Sequence, residues 1–344
     1  MSSVDCYNSL RSIYPHAVIA GCSTSGEILG EEVFDDSAVA SAIEFIHTSV
    51  KLVSTTIAEY SESYEKGDFL SSSLEQDGLV NVLILSDGQH VNGTKLIEGV
   101  RKNFSDEVIV TGGLAGDGPN FNETLVAAND APAEGVIAAI GFYGNSLKVG
   151  YGSAGGWDSF GPDRRITRSE GNVLYELDGK PALDLYKHYL GEEANNLPSS
   201  ALLFPLMIRD EHSDDPGKVR TILSIDEENK SMIFAGDMPE GHLAKLMMAN
   251  FDRLIDGADD AAQFALKDIA QEGDNEKLAI LISCVGRKLV LGSKTEEEVE
   301  ATRTIFDSKT TQIGFYSYGE ISPQVETGSC ELHNQTMTIT LIAE

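Results

Sequence analysis

Apolar and polar positions alternate along this chain in blocks that predict an α/β order of elements. Residues 4–14 carry helical spacing and lead through Pro15 into a short strand, Ala17–Ala20, which ends at the glycine-bounded loop "GCSTSGE". Two alternating runs, "AVASAIEFIH" and "VKLVSTTIAEY", predict paired strands, and a weaker helical pattern covers 65–76. The unbroken apolar run "VNVLILS" predicts a strand buried on both faces. A turn, "DGQHVNG", follows, and then the helix "TKLIEGVRKNF", for which Asn92 is the expected N-cap. Strand "EVIVTGG" enters a second glycine loop, "GGLAGDGPN", and strands near 122–128 and 134–141 close this half.

The second half predicts the same order. The helix "KPALDLYKHYLG" has proline in its first turn and stops at Gly191. A strand, "ALLFPLMI", a polar loop and the hairpin "VRTILSID/SMIFAG" with "EENK" as its turn come next. A long helical stretch, 241–271, leads to the buried strand "LAILISC" and the loop "VGRKLVLGS". A helix opening with the capping box Thr295–x–x–Glu298, the strand "TQIGFYSYGEI" and a last strand, "MTITLIA", complete the chain. The matched order predicts an α/β fold of two related halves, mixed sheets flanked by helices, produced by internal duplication. The expected domains are 1–165 and 166–344, joined by the glycine-rich segment 143–172.

With 344 residues the chain has room for two domains and real cores. Fifty-five acidic residues against 25 basic ones give a net charge of −30, a field that repels phosphate backbones and anionic lipid heads. Nucleic acid and membranes are therefore excluded as expected partners. Cys6, Cys22, Cys284 and Cys330 are far apart and form no CxxC pair or zinc-ligand spacing, which fits a reducing compartment. The N-terminus has no signal-like apolar core, and no window approaches 18 uninterrupted apolar residues, so a cytoplasmic protein is expected.

Candidate chemistry sits where buried strands end in glycine loops, the usual place for ligands on α/β sheets. Nearly the same phrase closes two distant strands, "IAGCSTSGEI" and "IGFYSYGEI". Gly21, Gly26 and Gly113 permit close backbone approach, and Ser23, Thr24, Ser25 and Ser317 add adaptable hydroxyls. Glu27, Asp87, Asp117 and Glu320 supply carboxylates for an ammonium group, with Cys22 and Tyr318 beside them. Together they predict a pocket for a small zwitterion between the halves, lined by 21–27, 86–90, 112–118 and 317–320. Taken singly, each loop is also explained by turn chemistry. Neither GxGxxG nor GxxxxGK[ST] occurs, which removes the nucleotide reading.

Arg209 and Arg220, bracketing "DEHSDDPGKV", are candidates to clamp a ligand carboxylate, although such arginines commonly pair with neighbouring acids. A nucleophile would start from Cys22 or Ser23, giving an acyl transferase or hydrolase. "GCSTSG", however, lacks the GxSxG spacing and no catalytic residue is assigned. Among seven histidines, His188, His242 and His333 are the candidates should a haem be bound; hydrogen-bonded structural histidines are the commoner case.

The motifs "AGCSTSGEI", "GGLAGDG", "LYELDGKPALDLYKHYLG", "FPLMI", "VRTILSIDEENKSMIFAGDMPEGH" and "GFYSYGEISP" through "LHNQTMTITLI" resemble, in order, those of the FIST proteins. The resemblance covers nearly the whole chain, with the family's glycine loops matching Gly21–Ile28 and Gly112–Gly118 and its C-terminal signature matching Gly314–Pro323. It implies a cytoplasmic sensory protein that binds a small, amino-acid-like ligand and acts on a histidine kinase or a cyclic-di-nucleotide enzyme. One branch of the family implies haem-based nitric oxide sensing, so haem is a candidate cofactor; otherwise the cofactor is unknown. Relative to the family, Met1 sits well inside the region that precedes the first glycine motif, and no output domain is fused. Signalling to a separate protein is the expectation that follows.

Overall fold

The run "LVNVLILS" is a strand buried on both faces, and the layers of the molecule grow outward from it. The computed structural model describes residues 3–197, 199–212, 217–267, 269, 276–325 and 327–344. The first unit contains α1 (Ser3–Ile13), β1 (Ala20–Cys22), β2 (Glu27–Leu29), β3 (Glu32–Phe34), β4 (Ser49–Thr56) and α2 (Ser63–Ser73). It continues with β5 (Leu79–Ser86), α3 (Gly93–Arg101), β6 (Ile109–Leu114), β7 (Val126–Ala128), β8 (Val136–Tyr143) and β9 (Lys148–Ala154). An inserted unit follows: β10 (Trp157–Glu170), β11 (Val173–Leu177), β12 (Lys180–Pro181), α4 (Ala182–Leu190) and β13 (Leu206–Arg209). It closes with β14 (Lys218–Arg220), β15 (Ile222–Asp226), β16 (Ser231–Phe234) and β17 (Leu243–Ala249). The last unit runs α5 (Phe251–Lys267), β18 (Lys277–Cys284), α6 (Val285–Leu291), α7 (Thr295–Ile305) and β19 (Thr310–Ser317). Strands β20 (Gly319–Pro323), β21 (Cys330–His333) and β22 (Met337–Ala343) end it.

Two six-stranded mixed sheets carry the duplication. Their orders are β21-β20-β6-β5-β8-β4 and β3-β2-β19-β18-β22-β9, with β5 parallel to β6 and β18 parallel to β19. The series β4–α2–β5–α3–β6–β8 thus corresponds to β9–α5–β18–α7–β19–β22. Each sheet is completed by a hairpin from the other unit: β2–β3 lies against β19, and β20–β21 lies against β6. The sheets face each other through Ile140, Phe142, Val149 and Ile342, with Leu83 and Ile280 packed against them. Helices α2 and α3 cover one outer face through Leu70, Leu96 and Val100, and α5 covers the other through Ala258, Ala261 and Ala265. Burial on both sides is why β5 and β18 read as near-continuous apolar runs, interrupted by Asn81 in the first and Ser283 in the second. The fold is the expected mixed α/β class with two related halves, but the helix at Ala182–Leu190 and the hairpin Ile222–Phe234, expected to open the second half, belong instead to a sheet inserted between β9 and α5.

The inserted unit is a sheet of its own, β14-β13-β17-β10-β11-β16-β15 with β12 beside β11, holding α4 on a core of Leu183, Tyr186, Met232 and Phe234. Its base is tied down by a buried charge network. Arg287 Nε donates to Glu298 Oε2 at 2.7 Å, and both side chains are fully buried. Ser283 and Tyr316 hydroxyls donate to Glu298 Oε1 at 3.0 Å each, while Arg287 reaches the carbonyls of Gly155 and Leu254. Those two carbonyls flank the points where the chain leaves for the inserted unit and returns from it. Trp157 adds a bond from its indole N–H to Gln335 O at 2.9 Å.

Four local expectations are corrected. "AVASAIEFIH" forms no strand: residues 37–45 are irregular, Ile43 and Ile46 are exposed, and the alternation finds no neighbouring strand to complete it. Within 241–271 the stretch Leu243–Ala249 is β17, because β10 and β13 both offer it a ladder; the helix begins at Phe251. The end of that stretch, 268 and 270–271, lies outside the described residues, as does 213–216 in the polar loop. "VGRKLVLGS" is helix α6, stopped by Gly292 at φ 54°. "ALLFPLMI" is a 3-10 turn, Ser199–Leu203, followed by the short strand β13. Asn92 does cap α3, accepting from Lys95 N at 3.1 Å, and "EENK" does turn β15 into β16.

Helix α5 lies so close to β9 that an ideal Cβ on Gly152 would fall inside contact distance of Ala261 O. Gly152→Ala is therefore expected to lower the urea midpoint by the equivalent of about 1–3 kcal/mol. Gly21→Ala, where a Cβ meets nothing within 4 Å, should stay within about 0.5 kcal/mol of the parent. Equal effects of the two substitutions would contradict this packing.

Candidate functional site

The repeated "GE" phrase is the device that carries each hairpin onto the opposite sheet. Thr24 Oγ1 donates to Glu27 Oε1, and Ser37 Oγ donates to Glu27 Oε2 at 2.7 Å. At the other end of the chain Ser317 Oγ donates to Glu320 Oε1 at 2.9 Å, and Thr336 donates to Oε2 through its hydroxyl at 2.9 Å and its amide at 3.2 Å. In both cases one hydroxyl lies three residues before the glutamate and the other lies just beyond the hairpin. The ladder matches as well: Ser25 N donates to Tyr316 O at 2.8 Å, and Tyr318 N donates to Leu114 O at 3.2 Å. Glu27 pairs in register with Phe315, and Glu320 with Gly113. Glu320 is fully buried, and burial pushes its carboxyl up to about 8 despite the hydrogen bonds from Ser317 and Thr336 and the charge of Arg287.

The two aspartates anchor loops. Asp87 Oδ1 accepts from Gln89 N at 2.9 Å and His90 N at 2.7 Å, while Oδ2 accepts from Thr124 Oγ1 and Gly135 N at 3.0 Å each. Burial raises its carboxyl, but these four donors outweigh that and leave it below the usual range. Asp117 accepts from the amides of Phe121, Asn122 and Glu123 at 2.8–3.0 Å and from the Tyr318 hydroxyl. Its carboxyl is likewise lowered against the effect of burial, while burial and Asp117 together push the Tyr318 phenol upward. Each of the four candidate carboxylates is engaged by donors of the chain itself.

The glycine loops do meet, by packing on one another. Gly118 N donates to Ser25 Oγ at 3.1 Å, Gly116 N to Ser23 O at 3.0 Å, and Ala115 N to Ser86 O at 2.8 Å. Gly21 and Cys22 are strand residues of β1, paired with Ala127 and Val126, and Ser23 Oγ holds Leu125 N at 2.9 Å. Gly26 backs onto Lys288, whose ammonium bonds Ser25 O and Asp35. Beside this knot lies a cleft of about 290 Å³. One wall is Gly88, Gln89, His90 and Asn92; Leu114, Phe121 and Tyr318 lie between the walls. The facing wall comes from the inserted unit: Asn172, Leu223, Phe234 and Ala235. A second void, about 10 Å³ near Arg164 and Tyr186, has room for a single water.

Of the four segments expected to line a pocket, 86–90 supplies Gly88, Gln89 and His90, 112–118 supplies Leu114 and 317–320 supplies Tyr318, whereas no residue of 21–27 lines the cleft. Asp87 and Asp117 stand directly behind its lining, and Gly113, Ser317 and Glu320 belong to the strands that carry it. Arg209 is not brought to this cluster: it lies on β13 and bonds Asp163 Oδ2 at 3.0 Å. Arg220 is buried and points its guanidinium at the carbonyls of Leu332 and Asp237. Phe121, Asn172, Leu223 and Phe234 were missed, since each reads locally as turn or strand. The one available signal was the turn dipeptide Gly171–Asn172. Burial among Leu85, Val126 and Ala138 pushes the Cys22 thiol up to about 12, so at neutral pH it is protonated and a poor nucleophile.

The three histidines named for haem share no site. His188 is exposed on α4 with its ring against Tyr189, and His333 Nε2 lies 2.9 Å from Ser322 O. His242 follows the loop before β17. None of them lines the cleft. These residues do not fit a haem. Among the described residues no helix is long and apolar enough to cross a membrane.

Comparison with known proteins assigns the two parts of the chain. The FIST N domain matches residues 3–180 and the FIST C domain matches 182–323. An uncharacterized protein of Methanocaldococcus jannaschii is 21% identical over 340 residues, covering 91% of this chain; the chain spans about 62% of that relative's length. A crystal structure of a cyanuric acid hydrolase from A. caulinodans aligns over 86% of this chain and 99% of its own. Its 9% identity and TM-score of 0.19 are too low to carry an argument.

The raised carboxyl of Glu320 sets a pH dependence. The folded protein binds one more proton than the unfolded chain between the ordinary value of 4.5 and about 8. Stability therefore falls as pH rises through that window and levels off above it. Glu320→Gln should remove this component, so that urea unfolding at about pH 5 and about pH 9 differs by a few kcal/mol less than in the parent. Identical pH profiles for parent and variant would show that Glu320 does not carry the effect.

Proposed function

As the chain belongs to the FIST family, with its N and C domains in tandem, we propose that it is a sensory module whose small ligand occupies the cleft between the 88–92 loop and the inserted unit. FIST domains are associated with signal transduction and sensing. One observation carries the reading. The cleft's walls belong to different units, which are joined by a few polar contacts: Asn92 of the lining to Asp237 at 3.0 Å, and, between β14 and β21, Lys218 to Glu331 at 2.7 Å and the buried Arg220 to Leu332 O at 3.3 Å. A guest touching both walls stabilises one arrangement of the inserted unit over others, which is all that a population-shift sensor requires.

The base of the inserted unit, held by Arg287 and Trp157, stays fixed while its far edge follows the ligand. The partner that reads this change is a histidine kinase or a cyclic-di-nucleotide enzyme. Binding without turnover is favoured by the protonated Cys22 thiol and by the commitment of Asp87, Asp117, Glu27 and Glu320 to the chain's own donors. That commitment also removes support from an amino-acid-like ligand, whose ammonium group would need one of those carboxylates.

Leu223 is 37% exposed on the cleft wall, so a larger side chain fits there without disturbing a core. Native mass spectrometry of gently purified protein should show a retained small molecule. Leu223→Trp should lose that molecule while its melting temperature stays within about 2–4 °C of the parent. Retention of the same molecule by the variant would place the ligand elsewhere.

A further inference from the structure

We infer that the inserted unit drives the α2–α3 pair through Asp237, so that filling the cleft is relayed to the helices on the outer face of the first sheet. This rests on the cleft being the ligand site and names the element that receives its signal.

Asp237 moves with the inserted unit. Two residues earlier Ala235 lines the cleft, and one residue later Met238 is fully buried in the core of the inserted sheet, its amide donating to Gly171 O at 2.9 Å. From that anchored loop the Asp237 carboxylate reaches the first unit twice. Oδ1 accepts from Asn92 Nδ2 at 3.0 Å, and Oδ2 lies 3.7 Å from Lys95 Nζ, which Glu98 also holds at 2.9 Å. Asn92 is the cap of α3 and Lys95 lies in its first turn, where unpaired amides favour a nearby negative charge. Asn92 joins more than these two groups. It lines the cleft, its Oδ1 caps α3, and its amide donates to Ser63 Oγ, in the first turn of α2, at 3.0 Å.

Helix α3 has no loose layer with which to absorb such a pull. Its contact with α2 is backbone against backbone: an ideal Cβ on Gly67 would fall 2.2 Å from Leu96 O, and one on Gly99 would fall 2.1 Å from Tyr64 O. At the far end Lys102 Nζ and Asn103 Nδ2 hold the Asp68 carboxylate at 2.6 and 2.7 Å, and Asn103 Nδ2 also bonds Ser71 Oγ at 2.9 Å. The two helices therefore move as one piece. Close-packed contacts of this kind transmit strain, so a displacement of the first turn of α3 displaces α2 as well. The contacts that Lys218 and Arg220 make across the units end on β21, which makes Asp237 the direct polar link to the helices.

Leu223→Trp puts bulk into the cleft without any ligand, and the amide resonances of Gly67 and Gly99, read by heteronuclear NMR, report the helix contact. Leu223→Trp should shift both resonances. Combined with Asp237→Ala it should leave them where Asp237→Ala alone puts them, whereas Asp237→Asn, which keeps an acceptor for Asn92 Nδ2, should retain the response. A purely structural role for Asp237 would displace the two glycines once and leave their response to Leu223→Trp intact. Resonances unmoved by Leu223→Trp, or moved equally with and without Asp237, would overturn the relay. Retention of the small molecule by Leu223→Trp, with the shifts still dependent on Asp237, would uphold the relay and overturn the cleft as the ligand site. Loss of the molecule with shifts independent of Asp237 would do the reverse.

Discussion

The exchange of hairpins between two sheets depends on a glutamate whose two oxygens are tied to hydroxyls before and after the hairpin. Without that tie a strand leaving β19 has no reason to abandon its own sheet, and β20 would not reach β6. Glu320 performs this in a fully buried site, where an unpaired carboxylate would be costly and where burial raises its proton affinity. Glu27 repeats the arrangement with Thr24 and Ser37 at a more accessible position. Tyr318 occupies the bend between β19 and β20, the strand that Glu320 anchors, so the candidate site inherits its geometry from the exchange.

The duplicated framework and the inserted unit divide the labour. The two sheets, packed face to face under their helices, give a rigid support on which the 86–92 loop and the Asp117 turn are fixed by backbone donors. The inserted unit adds the opposite wall and is clamped at its root by the buried Arg287–Glu298 pair. Removing one partner of such a pair is expected to cost roughly 3–5 kcal/mol, which makes the root a poor place for movement. The contacts of Asn92 with Asp237 and of Lys218 with Glu331 are part-buried, the latter ion pair being worth about 1 kcal/mol or less. This side, away from the root, is where occupancy of the cleft can shift the balance. Pseudo-equivalent positions on the two halves have diverged: Lys288 fills the space beside Ser25, whereas the space beside Tyr318 is left open.

Local physics made much of this legible in the sequence. The buried strands β5 and β18, the Asn92 cap and the "EENK" turn follow from patterns within a dozen residues. The likeness of "STSGEI" to "YSYGEI" pointed to a shared role, and both phrases do hold corresponding hairpins. What the sequence could not express was the pairing of β2 with β19 and of β20 with β6, because register between strands hundreds of residues apart leaves no local mark. The acids look open to a ligand in the sequence, although Thr24, Gln89, His90, residues 121–123 and Ser317 are local donors to them. Only the donors that complete each set, Thr124 and Gly135 for Asp87, Tyr318 for Asp117 and Thr336 for Glu320, come from far along the chain. The far wall of the cleft was hidden because Leu223 and Phe234 look like ordinary strand residues until the inserted sheet is set against the first unit. "AVASAIEFIH" shows the converse: a strand-like alternation that finds no sheet to join.

Backbone hydrogen exchange of Glu320→Ala, compared with the parent protein, tests the anchor most directly. If the glutamate holds the exchanged hairpin, amide protection should fall across β20, β21 and residues 117–123, which Tyr318 supports, while β2 and β3 on the opposite sheet keep theirs. Unchanged protection in β20 and β21, or an equal loss in both hairpins, would contradict the anchoring role of Glu320 and with it the origin of the cleft.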